Sequence, residues 1–132
     1  MKSILFVDDE PNVLSALRRM LRSMRSEWDM LFVNGGKAAL DALEERDFDI
    51  VVSDLRMPQM DGVALLQEVR KRSPRTVRIS LSGYSDKEMA LRAVSEIHQF
   101  LSKPCEAEQL ITTLERAIAL SNLLSDERLK GL

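Results

Sequence analysis

Short apolar runs rich in β-branched residues alternate along this chain with longer stretches whose apolar positions recur every three to four residues. The runs predict strands at Ile4–Val7, Met30–Val33, Ile50–Ser53, Val77–Leu81 and Phe100–Ser102. The longer stretches predict helices at Asn12–Arg25, Lys37–Arg46, Gly62–Arg72, Lys87–Glu96 and Ala107–Leu124. In the first helix Val13, Leu17, Met20, Leu21 and Met24 share helical spacing, while Arg18, Arg19, Arg22 and Arg25 take the other face, which reads as solvated. In the last, Leu110, Ile111, Leu114, Ala117, Ile118 and Ser121 form one stripe, and Leu120, Leu123 and Leu124 add a second. Gly35-Gly36, Asp61-Gly62, Ser73-Pro74 and Ser82-Gly83 fall between elements as turn signals.

The first and third strands are almost wholly apolar rather than alternating. Strands of that kind are covered on both faces, as in a parallel sheet with helices above and below. Strict strand–helix alternation points the same way. The expected fold is α/β, a doubly wound five-stranded parallel sheet of flavodoxin-like order 2-1-3-4-5. Right-handed crossovers then place every strand C-terminus on one edge, where such sheets bind ligands.

Composition narrows the function classes. The 132 residues, 45% apolar and 30% charged, suffice for one domain with a genuine core. Nineteen basic against 21 acidic residues leave a net charge of -2, so no general basic field predicts direct contact with nucleic acid. With one cysteine, Cys105, and one histidine, His98, a disulfide framework, a Cys-rich zinc site and a His-based triad all lack parts. Cys105 reads as a small buried hydrophobe, His98 as a surface loop residue and Trp28 as a lid over the core edge. Ile4–Val7 is too short for a signal-peptide core and no stretch could span a bilayer, so a cytoplasmic location is expected.

The candidate chemistry lies at strand ends. Asp8 and Asp9 follow the first strand, Asp54 the third, Ser82 the fourth and Lys103 the fifth. In the expected order these strands lie side by side, so residues up to 95 positions apart can share one pocket. Three carboxylates there repel one another unless a counter-charge is present, and an all-oxygen set suits Mg²⁺ or Mn²⁺. Lys103 and Ser82 supply what is needed to hold phosphoryl oxygens, and a carboxylate can itself be the nucleophile. Asp8 and Asp9, being adjacent, suit the metal; Asp54, alone on the central strand, suits attack. Plainer readings exist for each residue. Asp8 or Asp9 could cap the helix that Pro11 begins, Asp61 reads as a turn residue and cap, Lys103 could be a surface lysine, and Ser82-Gly83 a simple turn.

These residues also carry a resemblance. Leu5-Phe6-Val7-Asp8-Asp9-Glu10, Ser53-Asp54-Leu55-Arg56-Met57-Pro58-Gln59-Met60-Asp61-Gly62, Leu81-Ser82-Gly83 and Phe100-Leu101-Ser102-Lys103-Pro104 closely resemble the receiver domain of two-component response regulators. The resemblance covers roughly residues 3–121. It implies that Asp54 takes a phosphoryl group from a partner's phosphohistidine. It also implies that Asp9, Asp8, Asp54 and the main-chain carbonyl of Arg56 hold Mg²⁺, and that Ser82 and Lys103 bind phosphoryl oxygens. A cis Lys103–Pro104 peptide would aim Lys103 inward, and Phe100 would be an aromatic switch residue on the face of the fourth helix, fifth strand and fifth helix. The implied role is a phosphorylation-dependent switch rather than an enzyme with a turnover substrate. Its implied partners are a sensor histidine kinase or phosphotransfer protein and an output domain or effector. The apolar overhang of Leu120, Leu123 and Leu124 needs a partner subunit or a further domain to pack on, which adds a second copy on phosphorylation to the expected partners. For the Arg-rich face of the first helix, the family's alternative to solvation is kinase docking.

The expected organisation is a receiver domain over 1–121. Residues 122–132 follow as a helical extension, or as the start of a linker to a missing output domain, with Ser125-Asp126 able to begin a short helix at Glu127–Leu129. The segments around Ile97–Pro104 and Leu123–Leu129 further resemble receivers joined to HD-related output domains of the HDOD class. Arg56 and Tyr84 fall where bulk could hinder an attacking water, which predicts a long-lived aspartyl phosphate; stacking of the two at the surface is the plainer reading. A haloacid-dehalogenase-type phosphatase would need an Asp two residues after the nucleophile, where Arg56 stands. A dinucleotide or P-loop site would need glycines after the first strand, where Asp8-Asp9-Glu10-Pro11 has none. The remaining rival is an unphosphorylated docking or dimerisation module.

Overall fold

A computed structural model describes residues 1–58, 60–83 and 87–124. The elements run β1 (Lys2–Asp8), α1 (Pro11–Met20), β2 (Trp28–Asn34), α2 (Gly36–Glu45), β3 (Ile50–Asp54), α3 (Gly62–Arg72), β4 (Val77–Ser82), α4 (Lys87–Arg92), β5 (Gln99–Ser102) and α5 (Ala107–Leu124). All strand pairs are parallel, and the order is β2-β1-β3-β4-β5, as the apolar runs predicted. The segment proposed to begin at Ser125 lies outside the described residues, and α5 runs unbroken to Leu124.

Two cores flank the sheet because successive strand residues face opposite ways. Ile4 and Phe6 join Leu17, Leu21, Leu110 and Leu114 on one face, while Leu5 and Val7 join Ala39, Leu55, Leu65 and Leu66 on the other. That is why β1 and β3 carry no alternation: Ile50, Val51 and Val52 are all at most 1% exposed. Pro11 opens α1 at a position whose N–H has no helical partner to lose. Asp61 caps α3 by accepting a 2.7 Å hydrogen bond from the Ala64 N–H, as its place before Gly62 predicted.

The differences lie at element ends. The first helix stops at Met20 and continues as a 3₁₀ turn over Arg22–Met24, bringing fully buried Leu21 into the core. The fourth ends at Arg92, with a 3₁₀ turn at Val94–Glu96 after buried Ala93. The second strand begins at Trp28 because Trp28 and Asp29 pair with Lys2 and Ser3 of β1. Trp28 is consequently a core residue, 6% exposed, rather than a lid on the core edge. Cys105 is half-buried against the same core, and burial pushes its thiol pKa up.

Candidate functional site

β1 and β3 are neighbours in register from Ile4 opposite Ile50 to Val7 opposite Ser53, so Asp8 and Asp54 emerge together where the apolar pairing ends. Both are buried, Asp8 completely and Asp54 to 3% exposure. Main-chain donors hold them. The Glu10 N–H reaches Asp8 Oδ1 at 2.9 Å, and the Arg56 N–H reaches Asp54 Oδ1 at 3.2 Å. Neither Asp8 nor Asp9 caps α1; its N-cap is Glu10, without a side-chain bond.

Lys103 enters from the end of β5, next to β4, where its N–H donates to the Ser82 carbonyl at 2.9 Å. The Lys103–Pro104 peptide is cis. Lys103 Nζ lies 3.1 Å from Asp8 Oδ2 and 3.3 Å from Asp54 Oδ2, bridging the two acids. Burial raises Asp8 above the usual carboxylate range and takes Asp54 from 3.8 to about 6, against the pull of Lys103. Burial alone would lower Lys103; its contacts with Asp8 and Asp54 outweigh that and leave its pKa raised.

Asp9 completes the cluster. Asp8, Asp9 and Asp54 each offer an oxygen, all within 4.8 Å of one another, and could hold a metal ion. Two observations fit a hard cation. The donors are all oxygen, and buried Asp8 Oδ2 takes no well-directed hydrogen bond despite its ion pair with Lys103. Three carboxylates against one ammonium also leave negative charge uncompensated. Asp9 lines an adjoining cavity of about 260 Å³ with Asn34, Gly35, Lys37, Met57 and Met60, which leaves room at the mouth.

The remaining expected residues are distributed around this centre. Ser82 ends β4 and is partly buried. Arg56 has an exposed side chain, so it meets Asp54 through its main chain. Pro104 is exposed beside Lys103. Phe100 pairs with Ser80 across β4 and β5 and is 46% exposed, its ring directed outward. Tyr84 lies outside the described residues. His98 precedes β5 away from the acids, where its Nδ1 accepts a 2.9 Å hydrogen bond from the Arg78 N–H.

Gly62 is the positional residue that motif reading alone undervalues. Its N–H donates to the Leu55 carbonyl at 2.8 Å, and a Cβ there would fall 2.0 Å from the Asp54 carbonyl oxygen. The start of α3 therefore packs directly on the peptide of Asp54. The turn signal Asp61-Gly62 marks the place, but the close approach is a tertiary fact.

The model of the response regulator receiver domain matches residues 4–115. The hydrogenase transcriptional regulatory protein HoxA of Cupriavidus necator is 37% identical over 126 residues, covering 94% of this chain and 26% of its own length. The transcriptional regulatory protein ZraR of Escherichia coli O157:H7 is 34% identical over 125 residues, covering 94% and 28%. This chain thus spans about a quarter of the length of these curated relatives. Among solved structures, the signal receiver domain of an HD domain-containing protein from Pseudomonas fluorescens Pf-5 superposes with a TM-score of 0.85 at 32% identity, covering 92% of this chain and 89% of its own. Strand order, buried acidic cluster and relatives agree, and the chain belongs to the response regulator receiver family of phosphorylation-dependent signalling switches.

Proposed function

We propose that Asp54 is the phosphoryl acceptor of this switch, charged by the phosphohistidine of a sensor kinase or phosphotransfer protein. The observation that carries this reading is a buried carboxylate at the end of the central strand, set between one ammonium and two further acids. An Asp54 oxygen attacks phosphorus; the O–P bond forms, the P–N bond breaks, and its electron pair stays on the departing imidazole. Asp8, Asp9, Asp54 and the Arg56 carbonyl would hold Mg²⁺ or Mn²⁺, which when bound neutralises charge developing on the phosphoryl oxygens.

The chain's own groups do the rest. Lys103, already 3.3 Å from Asp54, moves its charge from the carboxylate to a phosphoryl oxygen once the acceptor is modified. Ser82 donates its hydroxyl to another. These contacts draw the ends of β4 and β5 toward Asp54, and Phe100 turns inward from its exposed position as β5 responds. An apolar groove of about 390 Å³ between Val13, Ala16 and Met20 of α1 and Pro104 and Cys105 lies beside Lys103. It suits the apolar face of a donor helix brought to the acids. The protein catalyses its own phosphorylation and dephosphorylation without turning over a separate substrate, and works in the cytoplasm. An output domain or effector receives the signal. The solved neighbour from an HD domain-containing protein supports an HD-related output, and HoxA and ZraR support a transcriptional one.

Intact mass after incubation with acetyl phosphate and Mg²⁺ tests this reading. Wild type gains one phosphoryl group; Asp54→Asn and chelated samples gain none. No gain beside a working phosphodonor control would leave an unphosphorylated docking module instead.

A further inference from the structure

Four arginines cluster at one corner of this molecule, with no carboxylate partner among the described residues. Arg18, Arg19, Arg22 and Arg25 crowd the end of α1 and the 3₁₀ turn after it, and Pro11–Ser26 contains no acid. The other structural features of this corner separate them from a solvated stripe. A cavity of about 390 Å³ lies between the turn and β2, rimmed by Arg18, Arg22 and Arg25 and floored by Leu21, Trp28 and Met30. Arg18 sits 5.0 Å above the Phe32 ring, which itself stacks on Phe6 at 4.6 Å, so this guanidinium is held at the rim. Among the described residues, the side chains of Arg22 and Arg25 are exposed and make no ion pair or hydrogen bond; their main chains bond only within the turn. The acid in the cavity wall, Asp29, is committed to Arg46 at 2.7 Å. The molecule as a whole carries -2, so this is a concentrated positive patch on an acidic protein.

The cavity also borders an open strand edge. β2 is the last strand of the sheet on this side, with Leu31 37% exposed, and its outward main-chain N–H and C=O groups are available for pairing. We propose that this corner binds an extended acidic peptide segment of a partner protein. The segment adds as a strand along β2, seats an apolar side chain on the Leu21–Trp28–Met30 floor, and sets carboxylates on Arg18, Arg22 and Arg25. Main-chain pairing is what favours a peptide, because a nucleic acid could use the arginines but not the strand edge. The site is remote from the phosphoryl acceptor. Trp28 pairs with Lys2 at the start of β1, and Asp8 ends that strand six residues on, roughly 20 Å away at the usual rise per residue. The peptide therefore stays bound while Asp54 is phosphorylated.

The test titrates the isotope-labelled chain with an acetylated, amidated heptapeptide of alternating Glu and Leu at low salt. Its Gln-for-Glu counterpart and a thymidine heptanucleotide serve as comparisons. Saturable shifts at the Trp28 indole and the Met30 and Phe32 amides are expected, weakening as salt rises. Arg22→Glu with Arg25→Glu, at positions the fold does not use, should weaken the Glu peptide at least about 10-fold and gain the matching Lys–Leu peptide. Acetyl phosphate should modify Asp54 at the same rate with peptide bound. No saturation by about 1 mM, equal binding of the Gln peptide, tighter binding of the oligonucleotide, or shifts centred on Asp54 would each overturn the proposal.

Discussion

At Asp54 two influences oppose each other on one carboxyl group: burial raises its pKa from 3.8 to about 6, and Lys103 pulls it back. The folded state therefore holds this proton more tightly than the unfolded chain does. Without metal, the resulting stability is fully present below 3.8 and is lost as pH rises through about 6. Asp54→Asn removes that loss. With a chelator present, the variant should exceed wild type by about 1–3 kcal/mol above this window, and the gap should close toward acid. Saturating Mg²⁺ should shrink it. Urea unfolding across the pH range measures it directly, and a gap independent of pH would mean that burial does not govern Asp54. At this scale the identities of the acids, Ser82 and Lys103 were legible from their places at strand ends. The donors on Asp8 and Asp54 were not, because the N–H groups of Glu10 and Arg56 carry no residue-type signal.

Among the elements, the start of α3 sets two neighbouring residues apart. Among the described residues Asp61 bonds only the first turn of its helix, so Asp61→Ala should cost about 1 kcal/mol and leave phosphorylation of Asp54 intact. Gly62→Ala is a different matter. Its Cβ would meet the main chain of Asp54 and Leu55, at 2.0 and 2.7 Å, and no side-chain rotation relieves a backbone clash. The helix start must shift, at a cost of at least about 2 kcal/mol, and the rate of phosphorylation should fall with it. Urea midpoints and acetyl phosphate time courses on the two variants check this contrast. The sequence pattern located α3 and α5 to the residue, since their apolar stripes, turns and Asp61 cap agree. It misplaced the ends of α1 and α4 and the start of β2. There, burial of Leu21 and Ala93 and the pairing of Trp28 with Lys2 decide, and these contacts join distant parts of the chain.

For the whole molecule, three exposed apolar side chains lie on α4, the 3₁₀ turn after it and β5. Leu91, Val94 and Phe100 are 73%, 57% and 46% exposed. Inward movement of Phe100 on phosphorylation would remodel this face. Light scattering after size exclusion, with and without beryllofluoride and Mg²⁺, should show a larger species only when the acceptor site is filled. Leu91→Glu should abolish the change while leaving acceptor chemistry intact, and an unchanged monomer in both states would remove the dimer from the proposed role. By itself the amino-acid sequence determined the parallel α/β fold, because Ile4–Val7 and Ile50–Val52 are unbroken apolar runs and only a sheet covered on both faces buries them. It also located the acidic site, because the acids and the lysine fall where strands end, and that placement is what the proposed acceptor role rests on. Only the tertiary structure decided how tightly these groups sit: the bridging of Asp8 and Asp54 by one lysine, the raised carboxyl of Asp54, and the seating of Gly62 on its peptide. Those depend on distances between segments far apart in the chain, which periodicity along the sequence does not encode.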